Sequence, residues 1–254
     1  MMTVVIPTYN EERRIAGSVR AIHAYMSRTA SPFDVLISDD GSTDRTGLVV
    51  SRLAQDGVPV RFLPAPQHRG KGWAVRRGVM AARGDLILIT DADLSTPISE
   101  ITRLLGAINS GADIAIGSRG MPGSRLVVRQ PLYREYSGKL FNCFVRALLL
   151  PTFRDTQCGF KLMRGTVARL LFSQCRIDSF ACDVEVLALA ARAGFVVVEV
   201  PVAWAHNADT KVSLARDSFR MLWDLVRISA RMWRRQPTGA REQIPAGGAD
   251  DWSV

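Results

Sequence analysis

The chain has 254 residues, 47% hydrophobic and 22% charged, with a formal net charge of +9. That length and apolar share suffice for one substantial core; an aromatic content of 7% and the lack of a nucleic-acid-binding motif set nucleic acid aside as partner of the positive charge and leave a membrane surface. Cys143, Cys158, Cys175 and Cys182 form no Cys-x-x-Cys pair and lie far in sequence from His23, His68 and His206, which argues against a structural zinc site and predicts reduced thiols in a cytoplasmic protein.

The elements alternate along the chain. Val4-Val5-Ile6 reads as a strand broken at Pro7; the chain enters it almost at once, which predicts no signal peptide. Ile15, Val19, Ile22 and Met26 share one helical face. A strand over 35–38, a helix from Asp44 to Ala54, a strand from Val60 to Leu63, a helix through Trp73 to Ala82 and a strand over 86–90 follow. Such alternation implies parallel βαβ units with right-handed crossovers.

Pro97 opens a helix through Ile101, Leu104, Leu105 and Ile108. Asp113 to Gly117 reads as a strand leading into Ser118-Arg119, and Met121 to Gln130 as a mobile loop over the site. Leu132 to Leu150 reads as a helix, and Val196-Val197-Val198 with Val200 as a late strand. Arg146, Arg192 and Glu199 interrupt the longest apolar stretches, so none reaches the ~18 uncharged residues of a spanning helix.

Residues 213–235 interleave Leu214, Phe219, Leu222, Trp223, Val226 and Ile228 with Arg216, Arg220, Arg227, Arg231, Arg234 and Arg235. Two readings stand for this basic amphipathic helix: it lies at a lipid headgroup boundary, or it packs on the core with a solvated basic face. The expected organisation is one domain over 1–235 and a disordered tail over 236–254, rich in Gly, Pro and Ala.

Chemistry concentrates in a few segments. Asp91 and Asp93 follow the buried run Leu86-Ile87-Leu88-Ile89-Thr90. Two carboxylates so close repel unless a cation lies between them, and hard ions such as Mg2+ or Mn2+ prefer oxygen ligands; the plainer reading is a solvated acidic turn. The chain also carries Pro7-Thr8-Tyr9-Asn10-Glu11-Glu12, Asp39-Asp40-Gly41-Ser42-Thr43-Asp44 and Arg69-Gly70-Lys71-Gly72, each at a strand end or helix start. In that order and spacing they resemble the inverting family-2 glycosyltransferases of the GT-A fold. Asp155-Thr156-Gln157-Cys158-Gly159-Phe160-Lys161-Leu162, Phe180-Ala181-Cys182-Asp183-Val184-Glu185, Trp204 and Thr210-Lys211-Val212 resemble the polyprenyl-phosphate branch, the dolichyl-phosphate beta-glucosyltransferases above all. The resemblance covers roughly residues 3 to 230.

The resemblance implies an α/β fold with a Rossmann-like, mostly parallel sheet flanked by helices. It implies that Asp93 coordinates Mg2+ or Mn2+ and that Asp91, across Ala92, contacts the ribose or the metal. Where the mannosyl branch has a further ligand, this chain has Ser95. Pro7, Tyr9, Glu11 and Asp40 match the nucleoside site, and Lys71 and Arg119 join them on the nucleotide sugar, Arg119 being also a candidate cation for the acceptor phosphate. For Tyr9 and Asn10, a helix-entry turn capped by Asn is the alternative; for Arg69 to Gly72, a plain tight turn. Arg125, Arg129, Gln157, Lys161 and Lys211 are implied on the acceptor side, with His206 where related mannosyltransferases have an arginine. Asp183 is implied in catalysis; a dipole partner at a helix start is the alternative for Asp183 and Glu185.

The activity so implied is inverting transfer of a hexose, glucose from UDP-glucose, to a dolichyl or undecaprenyl phosphate by an enzyme peripheral at the inner face of the membrane. Transfer from GDP-mannose to the same lipid, transfer to a saccharide hydroxyl with Asp183 as base, and nucleotide-sugar binding without turnover are the alternatives.

Overall fold

The computed structural model describes residues 1–29, 31–128, 130–206 and 214–234. In its first half, β1 (Met2–Thr8), α1 (Ile15–Met26), β2 (Phe33–Asp39), α2 (Thr46–Gln55), β3 (Val60–Leu63), α3 (Lys71–Ala81) and β4 (Leu86–Ile89) alternate. β1 pairs in parallel with β2 and β4, and β2 with β3. The strand runs are almost wholly apolar because helices cover both faces: Val4 and Ile6 lie among α1 residues, Val5 among α3 residues, all with no exposure.

The second half adds α4 (Ile101–Asn109), β5 (Ile114–Ser118), β6 (Arg125–Val128), α5 (Leu132–Leu148), β7 (Lys161–Arg164), α6 (Gly165–Gln174), α7 (Cys182–Arg192), β8 (Val197–Pro201), β9 (Ala203–Ala205) and α8 (Leu214–Arg234). The seven-stranded sheet runs β3-β2-β1-β4-β7-β5-β8. β7 is inserted antiparallel between β4 and β5. It was not anticipated, because Lys161-Leu162-Met163-Arg164 is charged at both ends, unlike the apolar four-residue run of β4. One core lies between the sheet and α1, α2 and α4; the other between the sheet and α3, α5, α6, α7 and α8.

The stretch from Met121 to Gln130, expected as a loop, contains β6, which pairs in parallel with β9 as a separate two-stranded sheet. Leu126-Val127-Val128 is a β-prone run whose partner lies about eighty residues away in sequence, so local pattern gave no cue to the pairing.

α8 settles one of its two readings. Leu225, Ile228 and Met232 are buried, Asp224 accepts a hydrogen bond from the Ser179 hydroxyl at 2.7 Å, and Arg231 pairs with buried Glu185 at 2.5 Å. One face therefore packs on the core. Another leaves Phe219, Trp223, Val226 and Trp233 exposed. Arg235 and the expected tail 236–254 lie outside the described residues. No described helix is long and apolar enough to cross a membrane.

Candidate active site

Because β1, β2 and β4 run parallel, the loops leaving their C-terminal ends meet at one edge of the sheet. Two of these loops are laced together. Asn10, in the left-handed region at φ 56°, accepts the Thr43 N–H at 2.7 Å through its side-chain oxygen, and its own N–H donates to the Ser42 hydroxyl at 2.8 Å. The Glu11 N–H donates to the Thr46 hydroxyl at 2.8 Å, and the Glu11 carboxylate forms a two-point pair with Arg14 at 2.8 and 2.9 Å. Asn10 thus ties loop to loop rather than capping α1, which begins beyond Arg14. Pro7 lies within β1, in register with Ser38.

Asp40 is 2% exposed, and its oxygens accept the N–H groups of Arg69 and Gly70 at 2.9 and 2.8 Å. The His68 Nδ1 lies 2.7 Å from the same carboxylate, while its ring stacks on Tyr9 at 4.1 Å between centroids. Tyr9 and Asp40, both implied at the nucleoside, therefore meet at His68. Sequence reasoning did not assign His68 a role; its place before Arg69-Gly70-Lys71-Gly72 was the only cue. The glycines of that loop have a structural account: a Cβ on Gly70 or Gly72 would collide with the carbonyls of Asp178 or Ile177.

Lys71 begins α3 and places its ammonium 2.5 Å from Asp91 Oδ1. Burial would lower the lysine's pKa, but Asp91 and Asp183 raise it on balance, so the ammonium stays charged. Burial likewise disfavours the Asp91 carboxylate, yet Lys71, with Lys161 and Arg119 further off, holds its pKa below the usual range. Gly159 packs directly against this carboxylate, where any Cβ would overlap it. Asp93 accepts the Ser95 N–H at 2.9 Å. Between the two aspartates, Ala92 is 7% exposed and its carbonyl accepts the Ser18 hydroxyl at 2.6 Å, fixing the turn to α1.

On the other wall, Lys161 is 1% exposed and donates to Asp183 at 2.6 Å and to the Cys158 carbonyl. Its ammonium thus lies behind the surface, joining β7 to α7. Glu185 is no mere dipole partner: it accepts the N–H groups of Arg176 and Ile177, both at 2.8 Å, besides pairing with Arg231. Arg119 grips Asp155 with two parallel bonds of 2.7 and 2.9 Å and lies over the Trp204 ring at 5.3 Å. Against the opposing effect of burial, this guanidinium brings the Asp155 carboxyl down to about 2. The Gln157 N–H donates to Asp155 at 3.0 Å.

Lys71, Asp91, Gly159, Lys161 and Asp183 are thus brought into one cluster, with Arg119 and Asp155 beside it. Arg125 stands exposed on β6. Arg129 and Lys211 lie outside the described residues.

The donor set suits a hard divalent ion. The described residues include no group of three His, Cys, Asp or Glu side chains that would cage one, but Mg2+-type sites commonly use one or two carboxylates and complete the shell with substrate phosphates and water. Asp91 is held ionised with a cationic ammonium already against it, and Asp93 is the carboxylate next along the turn.

A mostly parallel sheet with paired aspartates at the C-terminal edge of β4, facing a second wall built from β7 and α7, defines a glycosyltransferase of GT-A architecture. The chain belongs to glycosyl transferase family 2, whose model matches residues 3–172. It is 36% identical over 239 residues to the dolichyl-phosphate beta-glucosyltransferase ALG5C of Trichomonas vaginalis, covering 89% of this chain and 70% of that protein. The dolichyl-phosphate beta-glucosyltransferase of Saccharomyces cerevisiae is 33% identical over 245 residues, covering 89% and 73%. Glycosyltransferase AglD of Haloferax volcanii is 34% identical over 97% of this chain, which spans only 40% of that protein's length. Among solved structures, glucosyl-3-phosphoglycerate synthase from Mycobacterium tuberculosis with Mn2+, UDP-glucose and phosphoglyceric acid superposes with a TM-score of 0.69 at 18% identity, covering 91% of this chain and 80% of that one.

Proposed function

We propose that this glycosyltransferase moves glucose from UDP-glucose to the phosphate of a dolichyl-type polyprenyl phosphate, with inversion at the anomeric carbon. The observation that carries the reading is the Lys71–Asp91–Asp93 edge, charged and facing the Asp155–Lys161 wall, in a chain whose relatives include dolichyl-phosphate beta-glucosyltransferases. Tyr9 and Asp40 sit where a nucleoside would be read, with His68 against both. Lys71 is placed to exchange Asp91 for the donor diphosphate. Bound at Asp91 and Asp93, Mg2+ or Mn2+ would neutralise charge on the departing diphosphate.

A phosphate acceptor arrives already ionised and needs no proton removed. Asp183, with one oxygen engaged by Lys161, is suited to orienting rather than to proton transfer. Arg119, locked by Asp155, would face the acceptor phosphate with its orientation fixed in advance; Arg125 and Gln157 stand on the same side, and Arg129 and Lys211 belong to this proposal on the resemblance alone.

The apolar surface supports docking at the leaflet that holds the lipid. α5 exposes Tyr133, Tyr136, Leu140, Phe144 and Leu148 at helical spacing, and α8, packed beside it, exposes Phe219, Trp223, Val226 and Trp233. The enzyme is placed peripherally on the cytoplasmic face by this reading. Incubation with polyprenyl phosphate, Mg2+ or Mn2+, and labelled nucleotide sugars tests the whole: label from UDP-glucose should enter the lipid extract. Label entering from GDP-mannose instead, or passing only to a free saccharide, would overturn the assignment.

A further inference from the structure

None of Tyr9, Asp40, Lys71, Asp91 and Asp93 lines a surface cleft of about 780 Å3, whose walls carry Arg69, Arg76, Arg77, Arg176 and Arg231, with Asp178 the acid among its lining residues. A second cavity of about 440 Å3 shares Arg176 and Arg231 and adds Arg227 and Arg234. The nearby carboxylates are too few for these guanidiniums. Asp178 serves both Arg69 and Arg76, at 3.1 and 2.8 Å; Glu185 serves Arg231, and Asp224 serves Arg227. Arg77, Arg176 and Arg234 have no carboxylate partner among the described residues. Guanidiniums gathered with too little counter-charge repel one another, and a phosphate answers that geometrically, since its oxygens match their paired N–H groups.

The position of the cleft on α8 says where such a phosphate comes from. Projected at about 100° per residue, α8 turns successively from its buried face (Leu225, Ile228, Met232), through Asp224 and Arg231, to Arg227 and Arg234, and then to exposed Trp223, Val226 and Trp233. The arginines of the cleft therefore lie between the core and the exposed apolar stripe. An interfacial helix has this order of surfaces, with apolar residues among acyl chains and cations at headgroup level.

We propose that this arginine cleft is a second anion site, separate from the nucleotide-sugar cleft, which binds the phosphate of an anionic lipid headgroup. The proposal rests on the membrane docking argued above and goes beyond it by naming a discrete site. Flotation of the full chain with phosphatidylcholine vesicles, with and without phosphatidylglycerol, tests it. The anionic lipid should tighten binding of the wild type, and Arg176→Gln with Arg234→Gln, two exposed side chains, should weaken that binding about thirtyfold, equivalent to about 1 kcal/mol per arginine. Affinity for phosphatidylcholine alone should be unchanged. Arg20→Gln with Arg52→Gln, the same charge change on α1 and α2 across the sheet, should leave the gain intact. A gain equal in wild type and cleft variant overturns the site while leaving membrane docking standing; wild type that floats with neither vesicle overturns both. Binding of glycerol 1-phosphate without vesicles, as tight as the vesicle gain and lost in the cleft variant, would assign the cleft to a soluble phosphate and overturn the lipid source.

Discussion

Gly159 and Asp91 come from segments nearly seventy residues apart, yet the glycine leaves room for the carboxylate and nothing more. Gly159→Ala should push the Asp91 side chain off its position without unfolding the protein, since that side chain is part-exposed and can swing outward. Misplacement of a reacting group by about 1 Å is worth roughly 100-fold in rate, so kcat should fall by about that factor while the thermal midpoint barely moves. Steady-state kinetics beside a melting curve check both. Asp155 makes a different prediction. Its carboxyl lies at about 2 in the fold and near 3.9 in an unfolded chain. The stability it contributes is thus fully present above about pH 4 and lost as pH falls through 2, roughly 3 kcal/mol in all. In urea titrations, the gap between wild type and Asp155→Asn should be widest at neutral pH and close towards pH 2. The aspartates, Lys71 and the Asp155 to Lys161 segment were legible because a short motif announces each; that Lys161 supports Asp183 from beneath, and that His68 joins Tyr9 to Asp40, were not, since each depends on side-chain direction across distant segments.

At the scale of elements, α8 shows how one pattern serves two surfaces. Its arginines look equivalent in sequence, but Arg231 is tied to Glu185 and to the Gln174 carbonyl whereas Arg234 stands exposed. Arg231→Gln leaves buried Glu185 without its cation and should cost about 3 kcal/mol; Arg234→Gln should cost almost nothing. Differential scanning calorimetry separates the two, and equal small losses would mean that α8 is not anchored as described. The long helices and the β1-to-β4 alternation were readable from hydrophobic period alone. β6, β7 and β9 were not: unlike the equally short β3 and β4, they stand outside the regular strand–helix alternation, and their pairing is decided by distant partners.

For the whole molecule, the exposed apolar stripes of α5 and α8 mark the side on which the proposed membrane docking would occur. Tyr136→Ser, Leu140→Ser and Phe144→Ser together remove large exposed apolar groups from α5. Vesicle binding should fall at least about tenfold, as expected from apolar area lost at a headgroup boundary, while calorimetric binding of UDP stays at its wild-type value. Loss of both would mean that α5 supports the nucleotide site. The net charge pointed to an anionic partner, but composition alone could not show that exposed aromatics and arginines share one helix.

The Lys71–Asp91 pair makes the resting protein its own counterion. If the metal binds at Asp91 as proposed, it competes with the Lys71 ammonium for the same carboxylate oxygen, and a metal offered by itself must displace Lys71 from it. On the same proposal, the donor diphosphate gives the displaced ammonium a new partner. Metal and nucleotide should then assist one another's binding, each tightening the other by the same factor, as thermodynamic reciprocity requires. Mn2+ titrated into the protein by calorimetry should bind about tenfold more tightly with UDP present than without; in Lys71→Met, where no ammonium awaits eviction, metal alone should bind better and the assistance from UDP should shrink. The enzyme would then stay largely metal-free until its donor arrives.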